Sequence, residues 1–501
     1  MLHELLDLAV TGAPTLGTGP ADPAVAELCR RLERLAVPLR ADPDPDPALD
    51  EAVLADGFAH GLFSLTVPRE SGGLGGSLRD FVEAIERVAQ LGPAYAITAV
   101  PHLCAGVKAI ATLCPPDTAR DILTGIPRDR RLLAFAITEE TGSDVATVHT
   151  RLTRAPDGTL RLNGRKQWIT NLERASHVVV VARSPAHPVP GATQFVCVPL
   201  GQPGVSVAPA WDKHCANGSD TADLFFDNVE IAPWQLLGEP GKGMAYFNHM
   251  VQSGRLGAAA ACVGLARDAV ALAAADPVPP LSAGHAAALA AGVDVLGRML
   301  RLTARLGDDH HPQFAALTSL AKHICSLEAQ RALTDIDTAY ACQGRASPPS
   351  VSRAVRAMGL LRLLKGPGEV LAQQAVAAWL WQGKGGEPNP AWPYPLRAAC
   401  RALAHWYADL AAQGGPSARP GAVASLGEAT GAAWLLACAS GTGPVAARWA
   451  WHRFSSHARQ HPLTMHQGAD AATQAFQTLR EARAHGRLGP NLAGAMAWQS
   501  A

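Results

Sequence analysis

Apolar positions recur at helical spacing through the first quarter of the chain. Over residues 22–39, Val25, Leu28, Leu32, Leu35 and Val37 predict a helix. Residues 49–62 predict a second. Residues 78–90 predict an amphipathic third, with Phe81, Ile85 and Val88 on one face. Residues 94–125 predict two more, split at Pro115 and Pro116. Two polar stretches separate these helices. ADPDPDPALD at 41–50 reads as a linker, because alternating Pro and Asp sustain neither helix nor strand. LTVPRESGGLGGS at 65–77 reads as a shaped turn, and residues 1–20 as loose.

Near Leu132 the repeat shortens to that of a strand. LLAFAI, TVHTRLTRA, TLRLNG, HVVVVAR, TQFVCVPL, GVSVAPAW and ADLFFDNVEI alternate or run apolar, divided by turns such as PDG and HPVPG. A β-domain, a small barrel or sandwich, is expected over about 130–235. Helical spacing returns at Gly243 and continues to the end, broken at 276–284, 383–395 and 413–421. The fold class is therefore α+β. It comprises a helical domain (1–130), a β-domain (131–237), a helical bundle (238–382) and a helical extension (383–501). Helices are expected in the extension at 395–412, 422–440, 445–456 and 468–484, with Trp434, Trp449 and Trp451 buried.

Composition narrows the class. Lys plus Arg and Asp plus Glu both number 43, so the net charge is zero, and no long basic run points to nucleic acid. Ten Cys without a CxxC pair fit free thiols in a reducing cytoplasm, and no metal site is expected. MLHELLDLAV carries Glu4 and Asp7 and no basic segment, so no signal peptide is expected. The longest uncharged run, between Glu428 and Arg448, is weakly hydrophobic and reads as a buried helix rather than a membrane span.

Five blocks carry a resemblance: FAHGLFSLTVPRESGGLGGS, FAITEETGSDVA, LNGRKQWITN, GSDTADLFFDNVEIAPWQLLGEPGKGM and SGRLGAAAACVGLARDA. In this order they resemble the acyl-CoA dehydrogenase family, over about 50–270 and fading towards 380. The resemblance implies FAD held between a β-domain and a helical bundle, with an acyl thioester, on CoA or a carrier protein, lying on the flavin. It implies that a glutamate removes the Cα proton while the Cβ hydride goes to flavin N5. By family match, Thr138 and the backbone beside Ile137 sit at the polar edge of the ring. Ser143 faces the flavin phosphates or the thioester, Trp168 packs on the ring, Thr170 bonds near N5, and Phe135 lies on the approach. Ser143, Arg255 and Gly366 are the implied substrate contacts. Each of these residues taken singly also reads as ordinary strand packing or an ordinary turn.

The pattern departs from the family where the base is expected. The two family positions hold Lys365 and Gly254. Lys365 reads as a structural lysine, an anion contact, or a base if burial lowers its pKa. Glu369 reads as a helix N-terminal charge or a substitute base. Cys342, Gln343, Gly344 and Arg345, in ACQGRASPP, read as candidates for phosphate binding. A flavoenzyme with an atypical base, a non-oxidative elimination enzyme, a non-catalytic subunit of a heteromer, and a scaffold without flavin all remain open. Electron-transfer flavoprotein or another acceptor, and a homodimer or a heteromer, are the implied partners.

Overall fold

The computed structural model describes residues 19–142, 147–184 and 192–368, and beyond these residues 370–372, 375, 400, 403, 406, 420–439 and 444–459. The first three predicted helices form, each on a side-chain cap. Asp22 accepts from the Ala24 and Val25 N–H groups at the head of α1 (Pro23–Arg40). Asp50 does the same for Ala52 and Val53 at α2 (Glu51–Ala59). Ser77 and Asp80 form a reciprocal capping box at α3 (Leu78–Leu91). These caps satisfy N–H groups that have no partner within the helix.

The segment read as two helices is α4 (Pro93–Pro101), a π-helical turn (His102–Val107) and α5 (Lys108–Leu113), then α6 (Pro116–Asp129). The π turn has no signal in the apolar spacing. It sets the buried His102 between two backbone groups. Nε2 donates to the Phe63 carbonyl at 2.7 Å and Nδ1 accepts from the Leu133 N–H at 3.0 Å, which fixes a neutral tautomer. Burial pushes its pKa down to about 4.

The Asp-Pro stretch expected as a linker is clamped. Arg353, on α10 (Pro349–Leu363), donates to the carbonyls of Leu39 and Asp42 at 2.6 Å each and of Asp44 at 3.0 Å. Arg356 donates to the Pro45 carbonyl, and Asp46 accepts from the Asn217 N–H. Alternating prolines leave the carbonyls of the Asp-Pro run without helical or sheet partners, and the two arginines supply them.

β1 (Leu132–Ala136), β2 (Arg151–Arg154), β3 (Leu160–Thr170), β4 (Ala175–Arg183), β5 (Thr193–Pro199), β6 (Val205–Val207), β7 (Thr221–Ile231) and β8 (Leu236–Leu237) form one eight-stranded mixed sheet. The order is β6-β7-β3-β2-β4-β5-β8, with β1 also on β4. β1 and β2 run parallel to β4, one after the other along its length, and every other pairing is antiparallel. Strand alternation sends Ala134, Ala136, Leu162, Val178, Val180, Val196, Val198, Leu224 and Phe226 into a single apolar cluster.

The chain divides into two compact units. One comprises Gly19–Leu265 with Pro348–Leu361, and the other Ala266–Ser347 with the described residues from Arg362 onward. The first holds α1–α6, the sheet, the front of α7 (Gly243–Ala275) and nearly all of α10. In the second, α8 (Ala283–Asp308) and α9 (Phe314–Cys342) pack with α11 (Pro420–Cys438) and α12 (Pro444–Arg459). A Cβ on Gly431 would lie 2.4 Å from Ile324, and one on Gly292 would lie 2.5 Å from Trp449, so small residues let these helices approach. Helices expected at 422–440 and 445–456 are thus present, and Trp434 is buried. Those expected at 395–412 and 468–484 lie outside the described residues, in whole or large part. Among the described residues two segments, Pro93–Leu113 and Gly243–Ala275, are long and apolar enough to cross a membrane, and the most apolar stretch of each is mostly buried within the protein. All ten cysteines are free, and nine are buried.

Candidate functional site

β1 ends at Ala136 and delivers residues 137–139 to the side of β3, where Gln167 N–H donates to the Thr138 carbonyl at 2.9 Å. On β3 the alternation places Lys166 opposite Leu224, on the inner face, so a lysine enters the apolar core. Lys166 is fully buried. Its Nζ donates to the Ile137 carbonyl at 3.1 Å and to Glu139 Oε1 at 2.7 Å. Glu139 also accepts the backbone N–H groups of His149 at 2.6 Å and Thr150 at 3.0 Å. Burial alone would raise the Glu139 pKa, but Lys166 and these two N–H groups outweigh it and hold it near 2. Burial pushes Lys166 down to about 8 against the pull of Glu139.

The outward groups of this loop differ from the inward ones. Thr138 is half-buried, and among the described residues neither its N–H nor its hydroxyl has a hydrogen-bond partner. Thr170 pairs through its backbone with Thr221, and its hydroxyl is likewise without a partner among the described residues.

Between them β3 carries one extra residue. The pairing with β7 slips between Lys166 and Ile169, and Trp168 adopts a left-handed φ of 59°. The bulge turns the Trp168 ring outward, where it is 53% exposed. It stacks on Trp211, with centroids 5.1 Å apart and planes at 21°. Asp223 organises this corner. Its carboxylate accepts from Arg165 at 2.6 Å, from Trp211 Nε1 at 3.0 Å and from the Trp168 backbone N–H. Burial would raise its pKa, but these donors leave it below the usual carboxylate value.

Phe135 is half-buried. Its ring meets Phe195 edge-on at 5.5 Å and Phe247 of α7 stacked at 6.1 Å. Arg255, also on α7, is buried; its Nη1 donates to Gln252 Oε1 at 3.3 Å, and burial pushes its pKa down to about 10. Gly254 beside it is buried in the helix, and Lys108 Nζ donates to the neighbouring Ser253 hydroxyl at 3.1 Å. Ser143 and Glu369 lie outside the described residues.

Lys365 and Gly366 belong to the other unit, and both have positive φ, 64° and 112°, in the turn that ends α10. The buried Lys322 ties this turn by donating to the carbonyls of Arg362 and, at 2.8 Å, Gly366. Arg345, among the residues read as candidates for phosphate, is ion-paired. It grips both carboxylate oxygens of Asp276 at 2.9 and 2.7 Å, donates to the Val278 carbonyl, and lies over the Tyr340 ring. Among the described residues no group of His, Cys, Asp and Glu could hold a metal ion.

Lys166, Glu139, Asp223 and Trp211 are the residues that sequence reading passed over. The signal for Lys166 is present in LNGRKQWITN. Counting by twos from Leu162 lands on a lysine at a core position, and a buried lysine requires a partner. Asp223 and Trp211 have no comparable signal, because they meet Trp168 only through the bulge.

Residues 134–229 match the model of the acyl-CoA dehydrogenase middle domain. The chain is 28% identical over 323 residues to "Probable acyl-CoA dehydrogenase YngJ" of Bacillus subtilis, covering 62% of this chain and 84% of that one. It is 33% identical over 219 residues to the human mitochondrial very long-chain specific acyl-CoA dehydrogenase, covering 42% of this chain but only 33% of that one. In structure it resembles an acyl-CoA dehydrogenase of Bacillus anthracis complexed with FAD, with a TM-score of 0.73 and 19% identity over 96% of this chain and 90% of that one.

Proposed function

We propose, from the premise that this chain belongs to the acyl-CoA dehydrogenase family, that it is an FAD-dependent oxidoreductase of acyl thioesters whose proton-abstracting base is atypical or absent. The observation that carries the flavin reading is the Thr138 N–H and hydroxyl and the Thr170 hydroxyl, without partners among the described residues, together with the outward-turned Trp168. An isoalloxazine ring needs these groups: donors at its polar edge and an aromatic face against one side. Thr138 and Thr170 would hold the polar groups of the ring, and Trp168 would cover a face. FAD, when bound, supplies two-electron acceptance. Holding that acceptor in place and excluding water from it fall to the protein. The substrate is an acyl group on CoA or a carrier protein, and the acceptor is electron-transfer flavoprotein or another carrier. We place the enzyme in the cytoplasm as a homodimer.

The experiment is direct. The purified protein is expected to be yellow, with flavin absorbance. A colourless protein that FAD cannot reconstitute would sink the reading.

A second reading is favoured by Lys365 and Gly254 at the positions where the family carries a carboxylate. A chain loaded with flavin but without that carboxylate fits the non-catalytic subunit of a heteromer, or a non-oxidative elimination enzyme that takes the Cα proton with another base as the Cβ leaving group departs. Activity that appears only on adding a co-purifying, glutamate-bearing chain would select the heteromer.

A further inference from the structure

We propose that Lys166 is a positioning residue for the flavin: by holding the Ile137 carbonyl inside the β-domain it aims the Thr138 N–H at the polar edge of the ring. The inference rests on the flavin reading above. A trans peptide is planar, so its C=O and N–H point in opposite directions. The carbonyl of the 137–138 peptide is drawn inward by Lys166 Nζ at 3.1 Å. The N–H of the same peptide, that of Thr138, therefore points outward, and it is a donor without a partner among the described residues. The next carbonyl, of Thr138, is held by the Gln167 N–H at 2.9 Å. Two adjacent residues of β3 thus grip two consecutive carbonyls, and neither peptide can rotate without breaking a bond.

The charge on Lys166 needs an explanation. Burying an ammonium costs several kcal/mol, on the order of what its partners return, and a methionine would fill the space without that cost. Methionine could not hold a carbonyl. Glu139 cancels the charge of Lys166 at 2.7 Å. The pair therefore contributes direction rather than net potential, and Glu139 in turn is fixed by the His149 and Thr150 N–H groups. A donor held in direction before the ligand arrives needs no reorganisation when charge develops on the ring.

The test compares wild-type apoprotein with the variant Lys166→Met/Glu139→Gln. The double change leaves no charge unpaired in the core, so the chain keeps its fold where Lys166→Met alone would strand Glu139. Each protein is titrated with FAD, following tryptophan quenching and the flavin absorption spectrum, with circular dichroism as the control for folding. The expected result is a folded double variant that binds FAD about tenfold more weakly or worse, with a flavin spectrum shifted from that of the wild type. A folded double variant with wild-type affinity and spectrum overturns this inference alone. A wild-type protein that takes up no FAD overturns the flavin reading and this inference with it.

Discussion

Trp168 stacks on Trp211 with ring centroids 5.1 Å apart, and one carboxylate, that of Asp223, holds the backbone of the first and the indole N–H of the second. The exposed aromatic face is therefore fixed from behind by a buried charge. Asp223→Asn replaces charge-assisted bonds with weaker ones and brings an amide against Arg165. Stability is expected to fall by about 1–3 kcal/mol. Tryptophan emission should change as the stack loosens. Denaturant titration read by fluorescence and by circular dichroism checks both, and an unaltered emission spectrum would count against the role of Asp223.

Acid stability should be lost in two stages. His102 has a folded pKa near 4 against an ordinary 6.5, so between these values the unfolded chain binds a proton that the folded one refuses. Its arm is lost as pH falls from about 6.5 to about 4, and is worth about 3 kcal/mol in full. Glu139, held near 2 against 4.5, contributes fully above about 4.5, and that contribution is gone below about 2. His102→Gln should flatten the upper arm and leave the lower one; the double variant Lys166→Met/Glu139→Gln, which strands no buried charge, should do the reverse. Urea midpoints across pH 2–7 would show the arms, and a single arm untouched by either variant would refute the assignment.

Gly164 cannot carry a side chain. Its φ is 145°, and a Cβ there would lie 2.6 Å from Thr150 Oγ1 and 2.7 Å from Thr150 Cα. Gly164→Ala should cost at least about 2 kcal/mol. Thr150 also donates its N–H to Glu139, so the displaced strand should disturb that carboxylate as well. A melting temperature within a degree or so of wild type would show that the strands can separate freely at this point.

The proposal of an atypical or absent base gives a gain-of-function test. On the proposed flavin reading, Lys365→Glu in flavin-loaded protein is expected to raise dehydrogenation of butyryl-CoA, measured with a dye acceptor, by about a hundredfold. Lack of any gain, with flavin still bound, would remove the position from consideration and turn attention to Gly254.

Much of the architecture was readable because local rules and burial agreed. Asp22, Asp50 and Ser77 each precede an apolar helical repeat and each proves to be a cap. The strands β1, β4 and β5 run apolar because nearly every residue in them is buried. What escaped reading depends on contacts remote in sequence or on irregular backbone. The π turn at His102 leaves the apolar spacing intact, so no repeat betrays it. Trp168 was legible as a site residue, yet its left-handed backbone, its stack on Trp211 and its tie to Asp223 arise only when β3 and β7 pair out of step. Lys166 was legible in principle and went unread, because a lysine is expected at the surface.

The arginine clamp on the Asp-Pro stretch bears on how the chain comes to be made. Arg353 reaches back 314 residues to Leu39 and 309 to Asp44. A ribosome releases the carbonyl acceptors early and their donors only after the sheet, α7, α8 and α9 have emerged. The unit that contains the sheet therefore cannot be completed in the order of synthesis, and its last closure is a long-range event with a large entropic cost. Until α10 arrives, residues 41–47 remain a tether, and limited proteolysis of nascent or truncated chains should cut there first.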